Sequence, residues 1–254
     1  MSVLLALDSS TEHMALALVG QGHAAFVDAD GGAQASQHMV PDALALLREA
    51  GVALPALDAI AFGRGPGAFT GLRTACSVAQ GLAFGANKPV LALDSLMLVA
   101  EDARQQWAAQ SQSQAPSVPP SQSPAAGWDV WVAMDARMNQ IYAGRYRWEG
   151  QAWTVLDAPM LVDAAALQQL WAEQPAACVA GSALVAMRLD GGPALRIEHT
   201  HSRARALGAL AMQAWDQGLA EDASQALPLY VRDKVAQTTA EREAAKATAG
   251  TAPA

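Results

Sequence analysis

Few positions of this 254-residue chain carry charge, and positive charge is the scarcer kind. Charged residues make up 16% of the sequence, and 24 acidic residues against 16 basic ones give a formal net charge of −8. This balance excludes a protein that coats nucleic acid or an anionic membrane through its own net charge, because either surface would repel it. Any role with RNA would need the basic surface of a partner.

Cysteine and long apolar runs are also scarce. Cys76 and Cys178 are too few and too far apart for a disulfide framework or a thiolate zinc site. The apolar run at residues 3–7 ends at Asp8 without a basic leader and is too short for a signal peptide. The longest uncharged stretch, residues 74–87, falls short of the roughly 18 apolar residues of a spanning helix. We expect a soluble cytoplasmic protein without a membrane segment.

Catalytic and metal-binding spacings are missing too. No two of the five histidines lie at i and i+4, and His199 and His201 have no accompanying carboxylate pair. No GxSxG elbow is present, so a serine hydrolase of that type is not indicated. We therefore predict no metal site in this chain.

Short apolar runs separated by turn residues predict the element order β-β-β-α-β-α-β-α over about the first 108 residues. The first three runs are joined by tight turns, which favours an antiparallel meander. The whole pattern is typical of an α/β layer architecture with a mixed sheet. The predicted strands are residues 3–7, 14–19, 24–27, 59–62 and 90–93, and the predicted helices are residues 40–50, residues 69–85 and one from Ser95.

An uncharged segment divides the chain. Residues 111–127 hold four prolines and five serines, a composition typical of a flexible loop or linker. We therefore predict a first lobe at residues 1–110 and a second lobe at residues 128–239. The last fifteen residues, 240–254, have no apolar stripe and are predicted to form a disordered tail.

The second lobe partly repeats the first. Each lobe opens with a strand that ends in aspartate, Asp8 in the first and Asp135 in the second, and another strand follows. A degenerate internal duplication is the natural interpretation. The remaining elements predicted for the second lobe are a strand near Trp153, a helix at residues 163–171, a strand at residues 178–180 and a helix at residues 203–217.

The strongest local signal is a glycine-rich turn between a strand and a helix, GRGPGAFTGLR at residues 63–73. Gly65 and Gly67, on either side of Pro66, allow the backbone to approach a ligand above the helix N-terminus, whose free N–H groups favour an anion. The same composition also suits a tight connection without a ligand. A Walker A loop is excluded because the sequence contains no Gly-Lys-Ser/Thr.

A second candidate is the polar turn after the first strand, formed by Asp8, Ser9, Ser10 and Thr11. Hydroxyls and amides at a strand end can hold a phosphate, and an aspartate can hold a metal-bound water. An ordinary Asx or serine turn uses the same residue types. Asp135 occupies the equivalent place in the second lobe, so two carboxylates facing each other across a cleft are one hypothesis.

The helix predicted after the glycine-rich turn carries a stripe of small side chains. Gly71, Ala75, Ala79 and Ala83 recur at i, i+4 spacing, which permits a neighbouring element to approach closely. Packing against the chain's own sheet would explain the stripe. The helix is apolar around most of its circumference, however, and an exposed remainder would form a protein interface.

Five segments together resemble one known family. They are LALDSST at residues 5–11, GPGAFTGLR at 65–73, DSL at 94–96, DAR at 135–137 and PLYVR at 228–232. The glycine-rich segment is the most specific, and the similarity runs from residue 3 to about residue 236. On these residues the chain resembles the TsaB (YeaZ-type) family, also called glycoprotease-like.

The resemblance implies a two-lobed actin-like (ribonuclease-H-like) α/β fold with a smaller degenerate second lobe and a last long helix that returns to the first lobe. It implies a non-catalytic scaffold or activator that binds TsaD, acts with the ATPase TsaE and meets tRNA only through the complex. The complex transfers a threonylcarbamoyl group to the adenosine adjacent to the anticodon. The related TsaD holds its metal with a His-x-x-x-His pair. In this chain His38 stands at the place of the first histidine, and the second histidine is absent.

The resemblance also makes the polar turns degenerate phosphate loops. Actin-like proteins usually have glycine after the aspartate, whereas Ser9 follows Asp8, and Ala136 and Arg137 follow Asp135. Side chains there obstruct phosphates, so no cofactor is expected on this chain alone, and ATP or ADP would lie at the interface of the complex. The loop residues are Asp8, Ser9, Ser10, Thr11, Gly65, Pro66, Gly67, Asp135 and Arg137.

By the same resemblance the helices at residues 38–50 and 69–85 form the docking surface for TsaD, and a homodimer through them is compatible with a resting form. An alternative of another class is an independent nucleotide-binding enzyme or a protease. The roles of Arg64, Arg73 and Arg137 stay open, because arginine suits phosphates and carboxylates alike. The expected interface residues are His38, Met39, Ala43, Leu46, Phe69, Gly71, Leu72, Ala75, Cys76, Ala79, Leu82 and Ala83.

Overall fold

The computed structural model describes residues 2–113, 127–193 and 195–232, which form two five-stranded sheets and six α-helices. The first half contains β1 (Leu4–Asp8), β2 (His13–Gly20), β3 (His23–Asp30), α1 (Ala35–Glu49), β4 (Ala59–Gly65), α2 (Phe69–Ala86), β5 (Val90–Asp94) and α3 (Ser95–Ser113). The second half contains β6 (Trp128–Asp135), β7 (Ile141–Trp148), β8 (Trp153–Val162), α4 (Ala164–Glu173), β9 (Cys178–Ala180), α5 (Ala183–Ala186), β10 (Leu195–Ile197) and α6 (Arg203–Asp216). The element order predicted for the first half is confirmed.

The first sheet has the order β3-β2-β1-β4-β5. Strands β1, β2 and β3 form the predicted antiparallel meander, and β4 and β5 add to it in parallel. Helices α1 and α2 make the two connections that parallel pairing requires. Strand β1 lies in the centre and is buried along its whole length, which explains its continuous apolar run.

The second sheet repeats this topology. Its order is β10-β9-β6-β7-β8, so β6, β7, β8, β9 and β10 take the places of β1, β2, β3, β4 and β5. Helices α4, α5 and α6 follow the same strands as α1, α2 and α3. The internal duplication inferred from the sequence is therefore visible in the strand order. The second copy is reduced, because β9, β10 and α5 span three or four residues each.

The last helix of each half packs on the sheet of the other half. Helix α6 lies against β1, β2 and β3, whereas α3 lies against β6 and β7, and the two helices also contact each other. The face of the first sheet beneath α6 is rich in alanine, including Ala6, Ala15 and Ala17. A side chain at Gly208 would press on Val19 and Phe26, so small residues on both surfaces permit this close approach.

Several predicted boundaries change in the structure. Helix α3 continues to Ser113, three residues into the predicted linker at 111–127, because the first helix-breaking proline of that segment comes only at residue 116. The short elements α5 and β10 were not predicted, since three or four residues give too few turns of a pattern to recognise. The rest of the linker, apart from Gly127, and the predicted tail at 240–254 lie outside the described residues. No helix in the described ranges is long and apolar enough to cross a membrane.

Candidate functional site

A cavity of about 590 Å³ lies between the two lobes. Three of its walls come from the predicted phosphate loops: the turn after β1, the glycine-rich turn after β4 and the turn after β6. These loops meet because equivalent strand ends of the two sheets face one another, the place where open α/β sheets bind ligands. Its fourth wall is the segment at residues 229–232.

Asp8 is fully buried and its carboxylate is occupied by the chain itself. Arg203, at the start of α6, donates to Asp8 Oδ2 through Nη2 at 2.7 Å and through Nε at 3.2 Å. Ser10 Oγ donates to the same oxygen at 3.0 Å, and Ser95 Oγ donates to Oδ1 at 3.3 Å. In this structure the Asp8 carboxylate is therefore part of an internal ion pair, whereas the sequence hypothesis gave it a metal-bound water.

The glycines of the glycine-rich turn face the chain's own backbone. A side chain at Gly67 would overlap the carbonyl of Ser10, and one at Gly71 would overlap the carbonyl of Ser9. The contact is held by Ala68 N–H, which donates to the Ser10 carbonyl at 2.7 Å, and by Ser9 Oγ, which donates to the Gly71 carbonyl at 2.8 Å. The sequence allowed either a ligand-binding loop or a tight connection without a ligand. At Gly67 and Gly71 the tight connection explains why glycine is present.

Asp135 lies at the cavity wall in a more open setting. Its side chain is 18% exposed and accepts from Arg137 Nη1 at 3.1 Å and from the Arg137 backbone N–H at 2.8 Å. Two facing carboxylates do not line the cavity, since Asp8 is sealed behind its ion pair and Arg203 takes its place in the wall. The cleft is mainly apolar, with a small set of charged side chains in its walls: Glu12, Asp135, Arg137, Arg203 and Arg232.

No metal centre emerges from the described part of the chain. Within it, no group of three or more His, Cys, Asp or Glu side chains is placed to hold an ion. Both cysteines are buried. Burial raises the pKa of the Cys178 thiol from 9.0 to about 12, so this thiol stays protonated and unreactive at neutral pH.

A hydrogen bond between Tyr146 and Asp94 joins the two lobes. Tyr146 Oη donates to Asp94 Oδ2 at 2.8 Å, and Asp94 Oδ1 caps α3 by accepting from the Leu96 N–H at 2.8 Å. Burial raises the pKa of the Asp94 carboxyl, although these hydrogen bonds oppose the change. Burial and the neighbouring Asp94 charge raise the pKa of Tyr146 well above 10.0. No local sequence pattern links Asp94 to Tyr146, because the two residues lie 52 positions apart.

Most of the predicted interface residues are buried within the first lobe. Of the twelve, His38 is exposed, Phe69 and Leu82 are partly exposed, and the others are covered by this chain. The small stripe faces the sheet, where Ala75, Ala79 and Ala83 belong to one core with residues of β1, β2 and β4. A stripe of small residues can pack against the chain's own sheet or against a partner protein, and in this structure it packs against the chain's own sheet. The covered residues are Met39, Ala43, Leu46, Gly71, Leu72, Ala75, Cys76, Ala79 and Ala83.

The opposite side of α1 and α2 is the exposed apolar remainder, and we call it the α1–α2 face. Phe84 is 60% exposed and Leu44 is 42% exposed. Gly81 and Gly85 neighbour Phe84 on α2, and outside α2's own backbone no described atom is close enough to touch a side chain added at either glycine. This face could have been predicted from a second set of small residues at helical spacing in α2, namely Thr74, Ser77, Gly81 and Gly85.

Comparison with known proteins agrees with this architecture. Residues 32–180 match the family model described as "TsaD: tRNA N6-adenosine threonylcarbamoyltransferase". The chain is 36% identical over 139 residues to the tRNA threonylcarbamoyladenosine biosynthesis protein TsaB of Haemophilus influenzae, a match that covers 55% of this chain and 51% of that protein. It is 29% identical over 242 residues to the Escherichia coli protein of the same name, covering 92% of this chain and 96% of that protein.

Solved structures extend the similarity to the whole described fold. A Pseudomonas aeruginosa protein described as similar to peptidase YEAZ is 36% identical, with a TM-score of 0.77 over 91% of this chain and 100% of that chain. A second structure, YeaZ from Pseudomonas aeruginosa, is 35% identical with a TM-score of 0.73 and the same coverage. The two-lobed α/β fold implied by the sequence motifs is thereby confirmed, and the chain belongs to the TsaB (YeaZ) family.

Proposed function

We propose that this chain is a non-catalytic scaffold or activator subunit in the synthesis of threonylcarbamoyladenosine on tRNA. It would bind TsaD, act with TsaE and support threonylcarbamoyl transfer to the adenosine adjacent to the anticodon. The family relationship supports the pathway. The observation that carries the scaffold role is the contrast between a cleft whose first aspartate is sealed by Arg203 and a helical face that is open and apolar.

A catalytic role for this chain alone has little support in the cleft. Asp8 is neutralised by Arg203 within the protein, so the charge that would hold a cation near a phosphate is already compensated. Ser9 and Ala136 place side chains where actin-like proteins usually have glycine. We therefore propose that no cofactor binds to this chain alone and that ATP or ADP, where present, lies at the interface with the partner.

The α1–α2 face has the chemistry of a helix-docking surface. Gly81 and Gly85 allow a partner helix to approach the backbone of α2, while Phe84 on α2 and Leu44 on α1 supply exposed apolar side chains. Exposed apolar patches with small residues at their centre are typical of protein interfaces rather than of nucleic-acid contacts. With a net charge of −8, the chain would meet tRNA through its partners.

The experiment is to replace Gly81 by Glu and to measure assembly with TsaD from the same genome by size exclusion with light scattering, with and without ATP. Gly81 is helical and has open space around it, so a longer side chain there favours the helix and leaves the monomer folded. The matched control is Ala172→Glu, on the exposed surface of α4. We expect Gly81→Glu to lose the heterocomplex and Ala172→Glu to retain it.

Two results would contradict the proposal. Equal assembly of Gly81→Glu and the wild type would remove the α1–α2 face from the interface. A folded wild type that fails to associate under every condition, and that gives heat with ATP and magnesium in calorimetry, would favour the independent nucleotide-binding enzyme.

A homodimer of this chain that Gly81→Glu disrupts would show that the α1–α2 face also serves self-association.

A further inference from the structure

The segment after the last helix crosses from the first lobe to the second. Residues 227–232, which we call the strap, begin beside α2 and end beside the turn after β6. On the first-lobe side, Leu229 N–H donates to the Arg64 carbonyl at 2.6 Å. Arg73 Nε donates to Tyr230 Oη at 3.0 Å, and the rings of Phe69 and Tyr230 lie 5.3 Å apart. The strap is therefore attached to the N-terminal end of α2.

On the second-lobe side, the strap is attached through Arg232. Its Nη2 donates to the Ala136 carbonyl at 2.8 Å, and its Nη1 lies 3.1 Å from Met138 Sδ. The Nε is buried without a hydrogen-bond partner among the described residues. The Nη2 of Arg232 also donates to the Arg137 carbonyl at 3.5 Å. An arginine held by two carbonyls and a sulfur, with one donor unsatisfied, makes a contact of modest strength. Such a contact suits a link that can open.

The turn that Arg232 holds has a strained backbone. Arg137, Met138 and Asn139 have φ values of 63°, 55° and 56°, so three successive residues with side chains are left-handed. Each such residue is costly for an L-amino acid, and strain of this kind persists only when neighbouring contacts hold it. Within the turn, Ala136 N–H donates to the Gln140 carbonyl, Gln140 N–H donates to the Arg137 carbonyl, and Arg137 N–H donates to the Asp135 carboxylate. Arg232 adds the contacts that the turn receives from the strap.

We propose that the strap is a latch between the lobes: Arg232 holds the left-handed turn at residues 137–139 in place and thereby fixes the opening of the cleft. The strap also forms one wall of the cavity. Its release would free the strained turn and widen the cleft on that side. Arg232 is a positioning residue in this proposal, because it acts through the turn.

The test is the distance between the lobes in the full chain. Nitroxide labels at Glu49→Cys on α1 and Ala172→Cys on α4 occupy exposed positions on different lobes, and the native cysteines are buried. Electron–electron resonance on samples diluted with unlabelled protein removes distances between molecules. We expect Arg232→Ala to shift or broaden the distribution beyond the width of the wild type. Hydrogen exchange at residues 136–139 should become faster in the same variant.

Tyr230→Phe is the matched control, because it removes the hydroxyl contact to Arg73 within the first lobe and leaves Arg232 in place. It should keep the wild-type distribution. Arg232→Met retains the aliphatic stem and replaces the alanine variant if the latter does not fold. An unchanged distance distribution and unchanged exchange in a folded Arg232 variant would overturn the latch. A change of equal size in Tyr230→Phe would also overturn it, because the effect would then not depend on the crossing contact.

Discussion

Asp8 and Asp135 end the first strand of their respective lobes, yet the two carboxylates have opposite surroundings. Asp8 is sealed in the core by Arg203, whereas Asp135 is 18% exposed and pairs with Arg137, whose side chain is 79% exposed. Helix α6, which belongs to the second half and packs on the first sheet, brings Arg203 to Asp8. The exchange of helices between the halves thus decides which copy of a duplicated turn is closed and which one remains part of an open cleft.

The largest expected difference between the two turns concerns their ion pairs. Arg203→Ala leaves the buried Asp8 carboxylate without its cation, and we expect the free energy of unfolding to fall by about 3–5 kcal/mol. Arg137→Ala removes a solvent-exposed partner, and we expect a change of about 1 kcal/mol or less. Urea unfolding of the two variants measures both values. Similar losses would mean that the closed turn and the open turn are energetically alike, against the contrast in burial.

A smaller difference concerns the two cysteines at high pH. Cys178, in the second sheet, has a folded pKa of about 12 against 9.0 for a free thiol. Above pH 9 the unfolded chain releases this proton and the folded chain keeps it, so stability that is complete below pH 9 is lost as pH rises toward 12. We expect the thiol to lower the free energy of unfolding by about 1 kcal/mol at pH 10 and about 3 kcal/mol at pH 11.

The measurement compares the pH dependence of unfolding in the wild type, Cys178→Ala and Cys76→Ala. The Cys178 variant should show a flatter decline between pH 9 and 10. Tyr146, whose ordinary pKa of 10.0 lies at the upper end of this range, is present in all three proteins, so its contribution cancels in the comparison. Burial raises the pKa of Cys76 in the same direction, so its variant also loses part of the slope. An identical decline in the wild type and Cys178→Ala would show that the Cys178 thiol ionises in the folded protein as it does in water.

How much could be predicted from the sequence differs between local and long-range features. The meander and the alternating helices follow from apolar spacing and turn residues, and β9 was predicted at its observed bounds, residues 178–180. The pairing of Asp8 with Arg203 joins residues 195 positions apart, and no local pattern specifies it. The small stripe of α2 was recognised, but spacing alone does not tell whether the chain's own sheet or a partner covers it.

The smallest expected effect concerns the strained turn of the second lobe. Met138 is 63% exposed and has a φ of 55°, whereas its neighbour Asn139 has a similar φ of 56°. Asparagine tolerates the left-handed region better than methionine does. Met138→Gly gives up the sulfur contact to Arg232 but relieves more strain than Asn139→Gly, while both variants give the unfolded chain the same additional freedom. We therefore expect Met138→Gly to be the more stable of the two variants by roughly 0.5–1 kcal/mol in urea unfolding.

The same comparison in an Arg232→Ala background tests the role of the strap. There the turn is no longer held by Arg232, so the two glycine variants should become equal in stability. A difference that persists there would mean that the strain is fixed within the turn itself and does not depend on the strap.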